Sequence, residues 1–144
     1  MQKNSKGFTL IELLVVIAII GLLSTLSVVA LNSAREKARN ARRVADMRQV
    51  QTALELYFND QGQYPDTDEV NFSAANGQVS SGTKVYMSVL PKNPMPRNDT
   101  GCADQEYIYT YVSNTSYHID YCISEPTGGI SDGVNHATPA GISD

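Results

Sequence analysis

The sequence predicts an α+β protein: one long N-terminal α-helix, membrane-spanning in its first half, packed on a small antiparallel β-sheet with an irregular C-terminal tail. Three observations predict it. Residues 8–31 form an apolar run interrupted by a single charge, Glu12. Apolar residues then recur at three- and four-residue intervals through Val44, Met47, Val50, Leu54 and Phe58, the rhythm of a helix with one buried stripe. Residues 107–112 and 117–123 are rich in aromatic and β-branched side chains and flank the polar stretch Ser113-Asn114-Thr115-Ser116, the pattern of an antiparallel hairpin.

The first element is justified by length. At about 1.5 Å per residue, residues 8–31 reach across a hydrocarbon core of about 30 Å. The run exceeds the roughly 7–15 apolar residues of a secretory signal, and no small-x-small cleavage site follows it, so the segment is expected to stay in the mature chain. Before it stands a short polar leader, residues 1–7, with Lys3 and Lys6. Glu12 needs a reason. An ionised carboxylate in a transmembrane helix costs about 2.5–3.5 kcal/mol near the centre and less near an end, so it should be paired or functional.

The order basic residue, glycine, phenylalanine, T-L-I-E and then about twenty apolar residues resembles the class III signal of type IV prepilins and type II secretion pseudopilins. The resemblance implies a pilin-like fold and three segments: a leader at 1–7, a long helix at 8–60 with 8–31 in the membrane, and a globular head at 61–144. It also implies that a prepilin peptidase cuts between Gly7 and Phe8 and methylates the new Phe8 amine, making Glu12 the fifth mature residue. The amine of Phe8, on the same chain or a neighbour, would neutralise Glu12 when helices bundle. The competing reading is that Glu12 lies near the headgroups and snorkels. Implied partners are the peptidase, identical subunits, an inner-membrane assembly platform and membrane lipid. The implied location is the bacterial cytoplasmic membrane, single-pass with the head outside the cytoplasm, followed by a periplasmic or cell-surface filament.

The helix is expected to continue past the membrane. No proline or glycine interrupts residues 22–61, Ala34, Ala38, Ala41 and Ala45 form a small-residue row, and Gln61-Gly62 ends the helix. Gln61-Gly62-Gln63-Tyr64-Pro65 resembles the turn closing the helix in major pseudopilins. Many relatives carry a proline where this chain has Val29, while Gly21, Ser24, Thr25 and Ser27 could loosen the helix here. Residues 64–98 are turn-rich around one apolar run, 85–90, and read as a connection without assigned chemistry.

Charge is divided along the chain. Residues 35–48 hold Arg35, Lys37, Arg39, Arg42, Arg43 and Arg48 against Glu36 and Asp46, whereas from Gln49 onward only Lys84, Lys92 and Arg97 oppose twelve acids. A basic cluster beside a membrane helix reads as a lipid or nucleic-acid patch, or as the solvated face of a stem that meets acidic heads of neighbouring subunits. The second reading is favoured, and the acidic head argues against nucleic-acid affinity of the monomer. The positive-inside rule would put the stem in the cytoplasm; the resemblance implies the reverse, and we follow the resemblance.

In the hairpin, pairing Val112 with Tyr117 places Ile108, Thr110, Val112, Tyr117, Ile119 and Tyr121 on the helix-facing side. Tyr107, Tyr109, Tyr111, His118, Asp120 and Cys122 then share the other side, shielded in part by the C-terminal segment or a neighbour, with a carbohydrate or ligand platform as the sharper reading of the tyrosines. In an exported head, Cys102 and Cys122 are expected to form a disulfide, worth around 3 kcal/mol by the chain-entropy account. His118 and His136 read as ordinary polar residues rather than zinc ligands. Some pseudopilins bind calcium, but Asp120, Asp132 and Asp144 resemble no compact oxygen-ligand loop. No metal or cofactor is expected. Residues 125–144, rich in Gly, Pro, Ser and Asp, read as coil. Glycosylation triplets begin at Asn71, Asn98 and Asn114, a weak signal.

Two functions remain. The first is a structural subunit, cleaved, held in the membrane and polymerised through its helix into a pilus-like filament or a secretion pseudopilus. The second is a membrane-anchored envelope binding protein or enzyme. The enzyme reading lacks a nucleophile–base pairing, a metal cluster or a phosphate loop. The turn at 61–65 and the short head resemble the major pseudopilin, whereas paired cysteines near the end are more typical of pilins.

Overall fold

Thr9 and Glu12 start the long helix, α1, which runs Leu10–Gln61. The computed structural model describes residues 7–75, 77–97, 99 and 101–143, Asp68 by its backbone only. The predicted leader residues before Gly7 therefore lie outside the described residues, as do Asn98, Thr100 and Asp144. The chain divides after Arg35 into two units.

In the first unit every large apolar side chain from Phe8 to Leu31 is exposed, Leu10 by 81% and Val29 by 70%. With this segment α1 is long and apolar enough to cross a membrane. Its hydroxyls do not go unpaired. Ser24, Thr25 and Ser27 donate to the carbonyls of Ile20, Leu22 and Leu23 at 2.7, 2.8 and 2.8 Å, which removes the cost of carrying an unbonded polar group into hydrocarbon.

In the second unit the periodic stripe of α1 does what its spacing predicts. Val44, Met47, Val50, Leu54 and Tyr57 are buried, with Phe58 packed at the edge, while Ala38, Ala41 and Ala45 are exposed, as is Ala34 in the first unit. Gly62 ends the helix at φ +72°, and its N–H donates to the Phe58 carbonyl at 2.8 Å. The chain then turns so that the Tyr64 ring lies 4.7 Å from both the Phe58 and the Tyr117 rings, and its hydroxyl donates to Glu55 at 2.6 Å. A 3-10 turn at Thr67–Glu69, capped by Asp66, leads to a two-stranded antiparallel ribbon, β1 (Val79–Ser81) and β2 (Lys84–Met87).

The main sheet is an antiparallel meander of β3 (Ile108–Ser113), β4 (Ser116–Ile123), β5 (Gly133–Thr138) and β6 (Gly141–Ser143). Two expectations are corrected here. The hairpin register pairs Tyr111, not Val112, with Tyr117, because an irregularity between Tyr111 and Ser113 takes up one residue. That slip turns β3 over: Tyr107 and Tyr109 are buried with Tyr117, Ile119 and Tyr121, whereas Ile108 and Val112 face solvent. Tyr107 and Tyr109 are thus core side chains, and Tyr111 packs half-buried against that core. Second, the tail is not coil. Residues 133–143 form β5 and β6, and β5 pairs with β4 over five residues. Small and polar residues suffice there because Ala137 and Asn135 face a core already filled by the aromatics of β3 and β4.

Candidate functional site

At the N-terminus the geometry is that of a capping box. The backbone N–H and the hydroxyl of Thr9 both donate to Glu12 Oε2, at 2.9 and 2.6 Å, and the N–H of Glu12 returns a bond to Thr9 Oγ1 at 3.3 Å. The carboxylate is thus held one turn inside α1, where the helix dipole favours negative charge. Gly7 and Phe8 precede the helix and are exposed, so the Gly7–Phe8 peptide bond lies outside any regular element. The T-x-x-E signal for this cap stands in the sequence, beside the two readings of Glu12 given above, a contact for an amine or a carboxylate snorkelling to the headgroups.

The basic stretch is used differently from expectation. Arg43 is fully buried rather than solvated, and Arg39 is largely covered. Both guanidinium groups close on Asp99, Arg39 at 2.5 Å and Arg43 at 2.8 Å. Arg43 also donates to Asn93 Oδ1 at 2.8 Å, to Asn40 Oδ1 at 2.9 Å and to the carbonyls of Pro96 and Arg97 at 3.3 and 3.4 Å. Burial pushes the Asp99 carboxyl up, but the hydrogen bonds and charges of Arg39 and Arg43 outweigh it and hold the group below the usual carboxylate range. One turn along α1, burial dominates instead and raises Asp46, although Tyr107 donates to it at 3.1 Å and Arg42 lies 3.9 Å away. Lys37 meets Glu125 at 3.8 Å, an exposed pair.

Cys102 and Cys122 are joined in a disulfide with a Cα–Cα distance of 5.7 Å. Gly7, Phe8 and Glu12 belong to the first unit and the cysteines to the second. On the outer face of β4 and β5, His136 Nδ1 lies 2.6 Å from Asp120 Oδ1 and His118 Nε2 lies 3.8 Å from the same atom. Among the described residues no group of three or more His, Cys, Asp and Glu is disposed to hold a metal ion. A groove of about 380 Å³ beside the β5–β6 turn is lined by Arg48, Gln51, Thr52, Glu55 and residues 138–141, without a histidine or cysteine.

Residues 2–28 match the family described as the prokaryotic N-terminal methylation motif. The chain is 41% identical over 101 residues to the type II secretion system core protein G of Aeromonas hydrophila, covering 65% of this chain and 71% of that protein. It is 31% identical over 99 residues to the protein of the same name from Pseudomonas aeruginosa, covering 65% and 70%. To that of Pectobacterium carotovorum subsp. carotovorum it is 34% identical over 95 residues, covering 66% and 53%. The match spans about half the length of the Pectobacterium protein and of proteins of the same name from Dickeya chrysanthemi and Klebsiella pneumoniae. No solved structure matches the chain.

Proposed function

Because this chain belongs to the family of the type II secretion system core protein G, we propose that it is a structural subunit of a type II secretion pseudopilus, not an enzyme. In this reading prepilin peptidase cuts after Gly7 and methylates the Phe8 amine. The mature chain waits in the cytoplasmic membrane on residues 8–31 with its head outside the cytoplasm, and identical subunits then polymerise through α1 on an inner-membrane assembly platform.

The observation that carries this reading is the N-terminal arrangement. A helix whose large apolar side chains are all exposed from Phe8 to Leu31 has no partner within its own unit, so lipid or like helices must cover it. A simple tether would need that much and no more. Glu12, fixed by Thr9 at the helix start, is what a tether does not need, and it offers a fixed carboxylate to a positive amine. Mass spectrometry of the purified mature chain is the test: its first residue should be Phe8 carrying one added methyl group. A chain still starting at Met1 would favour the tethered alternative.

A further inference from the structure

The buried cluster around Arg43 and the disulfide are parts of one closed circuit. Starting at Arg43, the guanidinium meets Asp99 at 2.8 Å. The Asp99 carbonyl accepts the N–H of Cys102 at 2.8 Å, with Gly101 between them at φ +82°. Cys102 is bonded to Cys122. Two residues beyond Cys122, the Ser124 N–H donates to Asn40 Oδ1 at 3.3 Å, and Asn40 Nδ2 donates to Ser124 Oγ at 3.0 Å. Asn40 Oδ1 accepts from Arg43 at 2.9 Å, which closes the ring. Both segments that carry a cysteine are therefore pinned to adjacent turns of α1 by polar contacts that do not involve sulfur.

We infer that this ionic latch positions Cys102 against Cys122 before they are joined, so that Asp99 is a positioning residue for disulfide formation and the latch and the disulfide strengthen each other. A thiol pair that is already held together closes at a high effective concentration, and anything that holds it makes the disulfide harder to reduce by the same factor. The alternative is that the disulfide alone gathers the two segments and the latch merely fills in afterwards. The chemistry with a small-molecule disulfide is balanced. One cysteine thiolate attacks the glutathione disulfide, forming a mixed disulfide and releasing one glutathione thiolate, which takes up a proton. The second cysteine thiolate attacks the protein sulfur of that mixed disulfide, forming the Cys102–Cys122 bond and releasing the second glutathione thiol.

The test is thiol–disulfide exchange of the full chain in detergent micelles with reduced and oxidised glutathione, read by alkylation and mass. Asp99→Asn should lower the effective concentration of the cysteine pair at least tenfold. Arg39→Gln leaves Arg43 on Asp99 and so spares the fold, and it should lower the value about threefold or more. Circular dichroism of the reduced proteins identifies which variants are folded, and if reduced Asp99→Asn is unfolded the Arg39→Gln value decides. An effective concentration equal to that of the unmodified chain, in a variant that remains folded when reduced, overturns the inference.

Discussion

Asp99 carries the largest consequence assigned to one side chain. Two guanidinium groups depend on it, one of them fully buried, and removing one partner of a buried pair costs about 3–5 kcal/mol because the remaining charge stays out of water. Asp99→Asn is therefore expected to destabilise the head by that amount in urea denaturation. The pH dependence follows from the direction of the shift. With the folded carboxyl held below its unfolded range, the stabilisation is fully present above the unfolded value of about 3.9 and is lost as pH falls through the folded value. Denaturation midpoints should fall steeply below about pH 4 in the unmodified chain, and the fall should flatten in Asp99→Asn. At the other end, Thr9→Ala removes both hydroxyl bonds of the cap and should lower hydrogen-exchange protection of the first turn by about 0.5–2 kcal/mol, whereas Thr9→Ser should retain it.

At the scale of elements, the stem of α1 is divided between an inner and an outer set of charges. Arg43 is bound inside the head, while Lys37 and Arg42 are about two-thirds exposed and their pairs are worth at most about 1 kcal/mol. Charge reversal at Lys37 should leave the melting temperature of the head nearly unchanged, and reversal at Arg43 should abolish folding. A salt-sensitive contact with neighbouring heads would then fall to the outer set. The sheet makes its own prediction: deleting residues 127–144 removes β5 and β6, leaves the edge of β4 unpaired and takes Ile130 and Ala137 from the core, so the truncated chain should lose its cooperative transition. The helix was legible because its period and its Gly62 stop are local, and β4 because it alternates. β5 and β6 were not legible, since Gly133, Asn135, His136 and Gly141 carry no strand preference and are held as strands by pairing in the sheet rather than by any pattern of their own. The hairpin register failed on a single bulge residue, which no pattern of alternation reveals. Arg43 was misassigned because its burial depends on Asn93 and Asp99, more than forty residues away.

At the scale of the whole molecule, the two units answer to different solvents. The second is held by an aromatic core, a disulfide and a buried ionic latch, and leaves only scattered apolar side chains such as Val89, Ile108 and Val112 exposed. The first exposes its apolar surface along its full length and carries one fixed carboxylate. We propose that a chain so divided lies in lipid and then exchanges lipid for other copies of itself, and that Glu12 sets the register against a neighbouring amine. The most direct measurement is filament yield from a Glu12→Ala chain whose mature N-terminus has been verified by mass spectrometry as methylated Phe8. The account predicts normal processing and membrane insertion with filaments lost. Filaments at the level of the unmodified chain, from subunits processed in the same way, would contradict it.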